Sequence, residues 1–139
     1  RRRIWALAIL FLINSAPLTA ASSLNGNASA AVAYEMSSQG KITLIDIRRP
    51  SEWQQTGVGK GAHKISMHES GFVEQVDALL GGDRTKPVAL ICAAGSRSSR
   101  TKAKLNALGF TNVTNIPEGM VGSGSEPGWL ERDLPLEKQ

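Results

Sequence analysis

Two apolar runs dominate the pattern along the chain: Lys41-Ile42-Thr43-Leu44-Ile45-Asp46-Ile47 and Pro87-Val88-Ala89-Leu90-Ile91. Both are nearly continuous rather than alternating, which predicts strands covered on both faces, as in a parallel sheet. Ala62–Ser66 and Asn112–Ile116 predict two shorter strands. Between these runs the apolar period lengthens. Phe72, Val73, Val76, Leu79 and Leu80 form a helical stripe closed by Gly81-Gly82. Ala103, Leu105 and Leu108 are the expected apolar positions of a later helix, which begins with Ser98, Ser99 and Arg100 and ends at Gly109. Shorter helices are expected over Ser29–Met36 and Pro50–Gln55, the second with proline at a permitted first-turn position. Thr56–Ala62 is glycine-rich without a phosphate-binding spacing and reads as loop. Strands alternating with helices predict an α/β fold: a central parallel β-sheet flanked by helices on both sides.

The amino-terminal stretch changes the picture of the charge. The 139 residues carry 16 Lys and Arg against 12 Asp and Glu, a formal net charge of +4. Three of those cations are Arg1, Arg2 and Arg3, and no acidic residue precedes Glu35, so the remainder is close to neutral. A basic balance therefore gives no reason to expect nucleic acid as a partner. Arg1–Arg3 are followed by the apolar body Ile4–Ile13 and by small residues through Ala20 and Ala21. Charged head, short apolar body and small-residue exit read as a secretory signal peptide over 1–21, cut after Ala20 or Ala21. The body is short for a membrane span, with an uncleaved anchor as the alternative. Residues 22–28 read as a flexible lead and 29–139 as one domain, periplasmic or secreted, with no stable membrane association once the signal is removed.

Cys92 is the lone cysteine, so no internal disulfide is possible. It stands where the strand pattern stops and a helix is about to start, with Ala93, Ala94, Gly95 and Ser96 before Arg97. On a strand-to-helix turn, loop amides and the free N–H groups of the first helical turn can point at the sulfur. Those dipoles and a nearby guanidinium favour the nucleophilic thiolate, and the same cradle attracts anions. The competing reading is a small core hydrophobe at the end of a buried strand. The run of small and polar residues into Arg97 and a helix start favours a reactive thiol.

Other candidates read as structure. Asp46 and Arg48 are expected to pair and fix the loop behind the site. His63 and His68 have no partners at a metal spacing and read as surface residues. Arg100, Lys102 and Lys104 read as the solvated face of their helix.

Three blocks together resemble a single-domain rhodanese. Leu44-Ile45-Asp46-Ile47-Arg48-Arg49-Pro50-Ser51-Glu52-Trp53 resembles the family's Asp-x-Arg block, followed through Gly57 to Ala62 by its Gly-x-x-x-Gly-Ala passage. Cys92-Ala93-Ala94-Gly95-Ser96-Arg97-Ser98 resembles the active-site loop and following helix start. Glu118-Gly119-Met120, with Trp129 and Leu134-Pro135, resembles the closing block. Three positions depart from the pattern. Ala93 stands where many relatives carry a polar or charged residue, Glu118 stands in place of the closing block's first glycine, and the spacer from Met120 to Trp129 is long and Gly/Ser-rich.

The resemblance implies the rhodanese-like fold and double-displacement sulfur transfer. Cys92 takes a sulfane sulfur from a donor such as thiosulfate and passes it, as a persulfide, to a thiol or cyanide acceptor. It also implies that Ala93, Ala94, Gly95, Ser96 and Ser98 line the substrate, that Arg97 holds the anionic donor, and that no metal or organic cofactor is needed. Two alternatives come with it. One is a persulfide carrier or non-catalytic partner-binding module, since fold alone does not fix activity. The other is a cysteine-dependent phosphatase or arsenate reductase, whose cysteine–arginine loop is longer because it must enclose a tetrahedral oxyanion.

Overall fold

The computed structural model describes residues 26–138. The signal-peptide reading over 1–21 lies outside the described residues. In chain order the elements are α1 (Ala30–Ser38), β1 (Thr43–Asp46), α2 (Pro50–Thr56), β2 (Val58–Gly59), β3 (His63–Lys64), α3 (Phe72–Leu79), β4 (Val88–Ile91), α4 (Ser96–Ala107), β5 (Val113–Asn115) and β6 (Leu136–Glu137).

Strands β3, β1, β4 and β5 lie side by side in that order, and every pairing is parallel. Apolar continuity in β1 and β4 has its cause in two separate cores. On one face Ile45, Ile47, Val88, Leu90 and Cys92 pack with Phe72 and Val76 of α3, Leu80 at its carboxyl end, and Leu105 of α4. On the other, Leu44, Ala89 and Ile91 pack with Ala30 and Ala33 of α1 and with Ile116, Met120 and Trp129. Alternate residues therefore serve opposite faces, and Leu44, Ile45 and all four residues of β4 are apolar. Helices flank the sheet on both sides, as the alternation of strand and helix patterns implied.

Asp46 pairs with Ile91, so β1 and β4 end level and release Ile47 and Cys92 side by side at the carboxyl edge. That edge is where open α/β sheets place ligands.

Three details differ from the pattern-based expectation. Part of the anticipated flexible lead is fixed: Asn27 bridges Asn115 in parallel, with the Ala28 and Asn115 amides bonded at 2.9 Å to the Asn115 and Gly26 carbonyls. Unpaired edge groups of β5 account for this docking. Second, the glycine-rich passage is not loop throughout, because β2 pairs antiparallel with β6 from the far end of the chain. Gly59 is required there, since a Cβ would stand 2.6 Å from the Trp129 ring. Third, α4 turns inward through Ser98, Thr101 and Leu105, while Ala103 and Leu108 are exposed. Its buried face is part polar, which the apolar pattern could not register.

Candidate active site

β4 delivers Cys92 to the carboxyl edge of the sheet, and the residue is 1% exposed. Its Sγ accepts from the Gly95 amide at 3.2 Å and from the Ser98 amide at 3.4 Å. The Ser98 hydroxyl lies 3.2 Å from the same sulfur and also donates to the Gly95 carbonyl at 3.2 Å. α4 begins at Ser96, two residues before its expected start, so Arg97 and Ser98 occupy its first turn. The Ser98 amide is thus one of the donors a helix leaves unpaired at its start, and here it meets the sulfur. Among the described residues none accepts from the amides of Ala94, Ser96 or Arg97. Ala93 is half-buried, and Ala94 and Ser96 are exposed.

The cradle rests on the segment after β5. Met120 N–H donates to the Cys92 carbonyl and Val121 N–H to the Ala93 carbonyl, both at 2.9 Å. Two glycines permit this close approach. Gly95 has φ +89° and a Cβ there would overlap the Pro117 carbonyl. Gly119 has φ +58° and a Cβ there would overlap the carbonyl of Ala93. Positive φ suits glycine in both places.

Arg97 does something other than wait for a donor. Its Nη1 and Nη2 donate to the Glu52 carboxylate at 2.8 and 2.6 Å. Oε2 of Glu52 also accepts from the Arg49 amide at 2.9 Å. The Arg97 bond, above all, holds the Glu52 carboxyl down at about 2, against the opposing effect of burial. Glu52 in turn raises the Arg97 pKa. In this structure the fork of Arg97, expected to meet an anionic donor, is engaged by Glu52. Nothing in the local pattern signals the pairing, because Glu52 lies on α2 and its local role is at the start of that helix.

Asp46 and Arg48 form a buried pair, with Nη2 of Arg48 2.8 Å from Oδ2 of Asp46 and side chains 2% and 0% exposed. Arg48 also donates to Thr56 Oγ1 and the Gly57 carbonyl, both at 3.0 Å. The pair fastens the end of β1 to the end of α2 and makes no bond to the Cys92 loop. It positions the helix that carries Glu52.

Glu118 is buried, and its Oε1 accepts from the Ala30 amide at 2.6 Å, capping α1 beside Ser29 Oγ, which accepts from Val32 N–H at 3.2 Å. The departure at this position thus has a structural use. His63 and His68 are exposed. Partial burial, then the charges of Arg49 and Arg97, lower the His68 pKa, with Glu52 opposing. Lys102 reaches the Gly26 carbonyl at 2.7 Å, while Arg100 and Lys104 are exposed.

The family model for the rhodanese-like domain matches residues 29–125. A Rickettsia rickettsii protein described as an uncharacterized RP600 homolog is 26% identical over 110 residues, covering 74% of this chain and 89% of its own. Among solved structures, the polysulfide-sulfur transferase homodimer from Wolinella succinogenes matches with a TM-score of 0.62 and 28% identity, over 85% of this chain and 83% of its own. A rhodanese-related protein from Thermoplasma volcanium matches with a TM-score of 0.60 and 28% identity, over 81% and 98%.

Proposed function

The chain belongs to the rhodanese-like domain family, and on that footing we propose that it is a sulfurtransferase working through a persulfide on Cys92. The observation that carries the reading is the seat of the sulfur: Sγ accepts from the Gly95 and Ser98 amides at 3.2 and 3.4 Å. Fixed dipoles aimed at one atom stabilise negative charge there without reorganising during the reaction.

The transfer divides into two displacements. With thiosulfate as donor, the Cys92 thiolate attacks the outer sulfur. The new S–S bond forms to Sγ, the donor's S–S bond breaks, and its electron pair leaves on sulfite. A Cys92 persulfide anion remains. A thiol or cyanide acceptor then attacks the outer sulfur, and the electron pair of that S–S bond returns to Cys92. Neither step needs a metal or an external oxidant. Ser98 follows the charge: its hydroxyl can donate to Sγ when the sulfur is anionic and to the Gly95 carbonyl when the sulfur is a protonated thiol. The Wolinella relative is a polysulfide-sulfur transferase, which makes inorganic polysulfide a second candidate donor of anionic character.

Occupation of Arg97 by Glu52 weighs against phosphatase chemistry, which needs a free guanidinium to hold the transferring oxyanion. The test is mass spectrometry after thiosulfate alone, with thiocyanate release when cyanide is added. The wild type should gain one sulfur and turn over, and Cys92→Ser should do neither. Ser98→Ala should load more slowly by about tenfold, the scale of one lost donor to a developing anion. Loading without turnover would favour the carrier role. No loading from any sulfane donor would overturn the reading.

A further inference from the structure

The positive charge of α4 is not answered within the fold. Four of its twelve residues are cations, Arg97, Arg100, Lys102 and Lys104, and none is acidic. Two of them are engaged inside the chain: Arg97 by Glu52, and Lys102 by the Gly26 carbonyl at 2.7 Å. Arg100 and Lys104 are exposed, and among the described residues neither has a carboxylate partner. Four positions apart, they stand on the same side of the helix, where like charges repel. Beyond Arg1–Arg3 the chain is close to neutral, so this is a local concentration of charge.

The stripe that holds them is otherwise small. Ser96, Ser99, Arg100, Ala103, Lys104 and Ala107 are all exposed and recur at helical spacing. A partner backbone can approach closely there, between two fixed charges. The opposite side of α4 is anchored by Ser98, Thr101 and Leu105, all buried, and the Thr101 hydroxyl donates to the Arg97 carbonyl at 2.8 Å. The stripe also begins at the reactive sulfur, since the Ser98 amide lies 3.4 Å from Sγ. From Ser98, Arg100 is about 3 Å and Lys104 about 9 Å farther along the helix axis. At the loop end the surface stays open. Ala94 is exposed, as is Val121, whose amide holds the Ala93 carbonyl at 2.9 Å.

We propose that this stripe docks the sulfur acceptor, and that the acceptor is an acidic polypeptide bearing a thiol. The proposal rests on the sulfurtransferase reading and specifies the partner of its second step. Charge complementarity points to the occupant: two cations without partners, on a helix without acids, fit carboxylates. The small side chains between them fit an extended backbone. Reach sets the spacing. An extended chain advances about 3.3 Å per residue, so a cysteine at the loop puts the residue about three positions away opposite Lys104. Carboxylates within about four positions of the reactive cysteine are the recognised feature. In the step itself the acceptor thiolate attacks the outer sulfur of the Cys92 persulfide. The new S–S bond forms on the acceptor, the bond to Sγ breaks, and its electron pair returns to Cys92.

The test follows single-turnover transfer from the full chain, loaded with thiosulfate, to three acceptors. These are a one-cysteine peptide with Asp and Glu within about four positions, the same peptide with Asn and Gln instead, and mercaptoethanol. The acidic peptide should accept about tenfold faster than the neutral one at low salt, and its lead should shrink at about 0.5 M salt. Arg100→Gln with Lys104→Gln should remove the lead, and Arg100→Glu with Lys104→Glu should invert it. Both double variants should load from thiosulfate and transfer to mercaptoethanol as the wild type does. Equal rates for the two peptides, or a lead that survives charge reversal, would overturn the proposal. So would a lead that persists when the carboxylates stand about ten positions from the cysteine. Salt-dependent self-association of the wild type, abolished by charge reversal, would assign the face to a second copy and overturn it too. Fluorescence anisotropy with the acidic peptide carrying serine for cysteine separates this proposal from the reading beneath it. Binding that charge reversal removes, in a chain that no sulfane donor loads, keeps the surface and rejects the sulfurtransferase reading. Loading and transfer to mercaptoethanol with no peptide preference keeps that reading and rejects the surface.

Discussion

The guanidinium of Arg97 is clamped by the carboxylate of Glu52 through two bonds of 2.8 and 2.6 Å, across 45 positions of sequence. Arg97 sits in the first turn of the helix whose Ser98 amide reaches the Cys92 sulfur. Its side chain thus fastens that turn to α2. The contact is a strut for the cradle, and removing either end releases the same constraint. Glu52→Gln and Arg97→Gln should each slow sulfur loading of Cys92, by about tenfold, and the double variant should be little worse than the slower single one. Residues acting as a unit are non-additive in this way. Additive losses in single-turnover loading would mean that Arg97 acts on the donor directly.

The same clamp predicts a pH signature in stability. The Glu52 carboxyl titrates at about 2 in the folded chain, below its ordinary 4.5. A depressed carboxyl contributes stability that is fully present above its unfolded value and is lost as pH falls through the folded one. The stability difference between wild type and Glu52→Gln should therefore hold from neutral pH down to about 4.5 and shrink as pH approaches about 2. Both side chains are part-exposed, so the plateau should be about 1 kcal/mol. Denaturant unfolding across that range measures it.

How much of this was legible in the sequence follows from the range of the interactions. Periodicity is local, so the alternation of strand and helix patterns and the placing of Cys92 at a strand end could be read from β1, β4 and the stripe of α3, while the strand order β3-β1-β4-β5 could not. The start of α4 could not be placed, because Gly95 enters the helix from φ +89° and hydrophobic pattern carries no signal of that. Its inward face was hidden because Ser98 and Thr101 are polar residues satisfied by the sulfur, by carbonyls and by Met67. Glu52, the most consequential omission, contacts a residue on another element and has only a helix-start signature in its own neighbourhood. Strands β2 and β6 are two residues each and exist only as each other's partners.

Gly119 should be the least replaceable residue outside the Cys92 loop itself. Its φ of +58° is unfavourable for a side chain, and a Cβ would meet the carbonyl of Ala93 and stand 2.6 Å from the Cys92 carbonyl. Relief requires the loop to lift away from Met120 and Val121, whose amides hold those two carbonyls. Gly119→Ala should cost about 1–3 kcal/mol of stability through strain and overpacking and should reduce loading by more than about tenfold, because sub-ångström misplacement disables a preorganised site. Loading at the wild-type rate in a folded Gly119→Ala chain would show that the loop does not depend on this support.

Glu118, next in sequence, should behave in the opposite manner. Its carboxylate accepts from the Ala30 amide at 2.6 Å, on the α1 side of the sheet, and makes no bond to the Cys92 loop. Arg132 stands 3.5 Å away and supplies the countercharge that a buried carboxylate needs. Glu118→Ala leaves the Ala30 amide without its acceptor and the Arg132 guanidinium without this partner, which should destabilise the fold by about 1–3 kcal/mol. Glu118→Gln keeps an acceptor for the amide and should recover part of that loss. Both variants should load sulfur on Cys92 at the wild-type rate below their unfolding transitions. A rate defect in a folded Glu118→Gln chain would mean that α1 capping and the cradle are coupled through the Pro117–Val121 segment. Neighbouring positions on that segment would then share one function instead of dividing two between them.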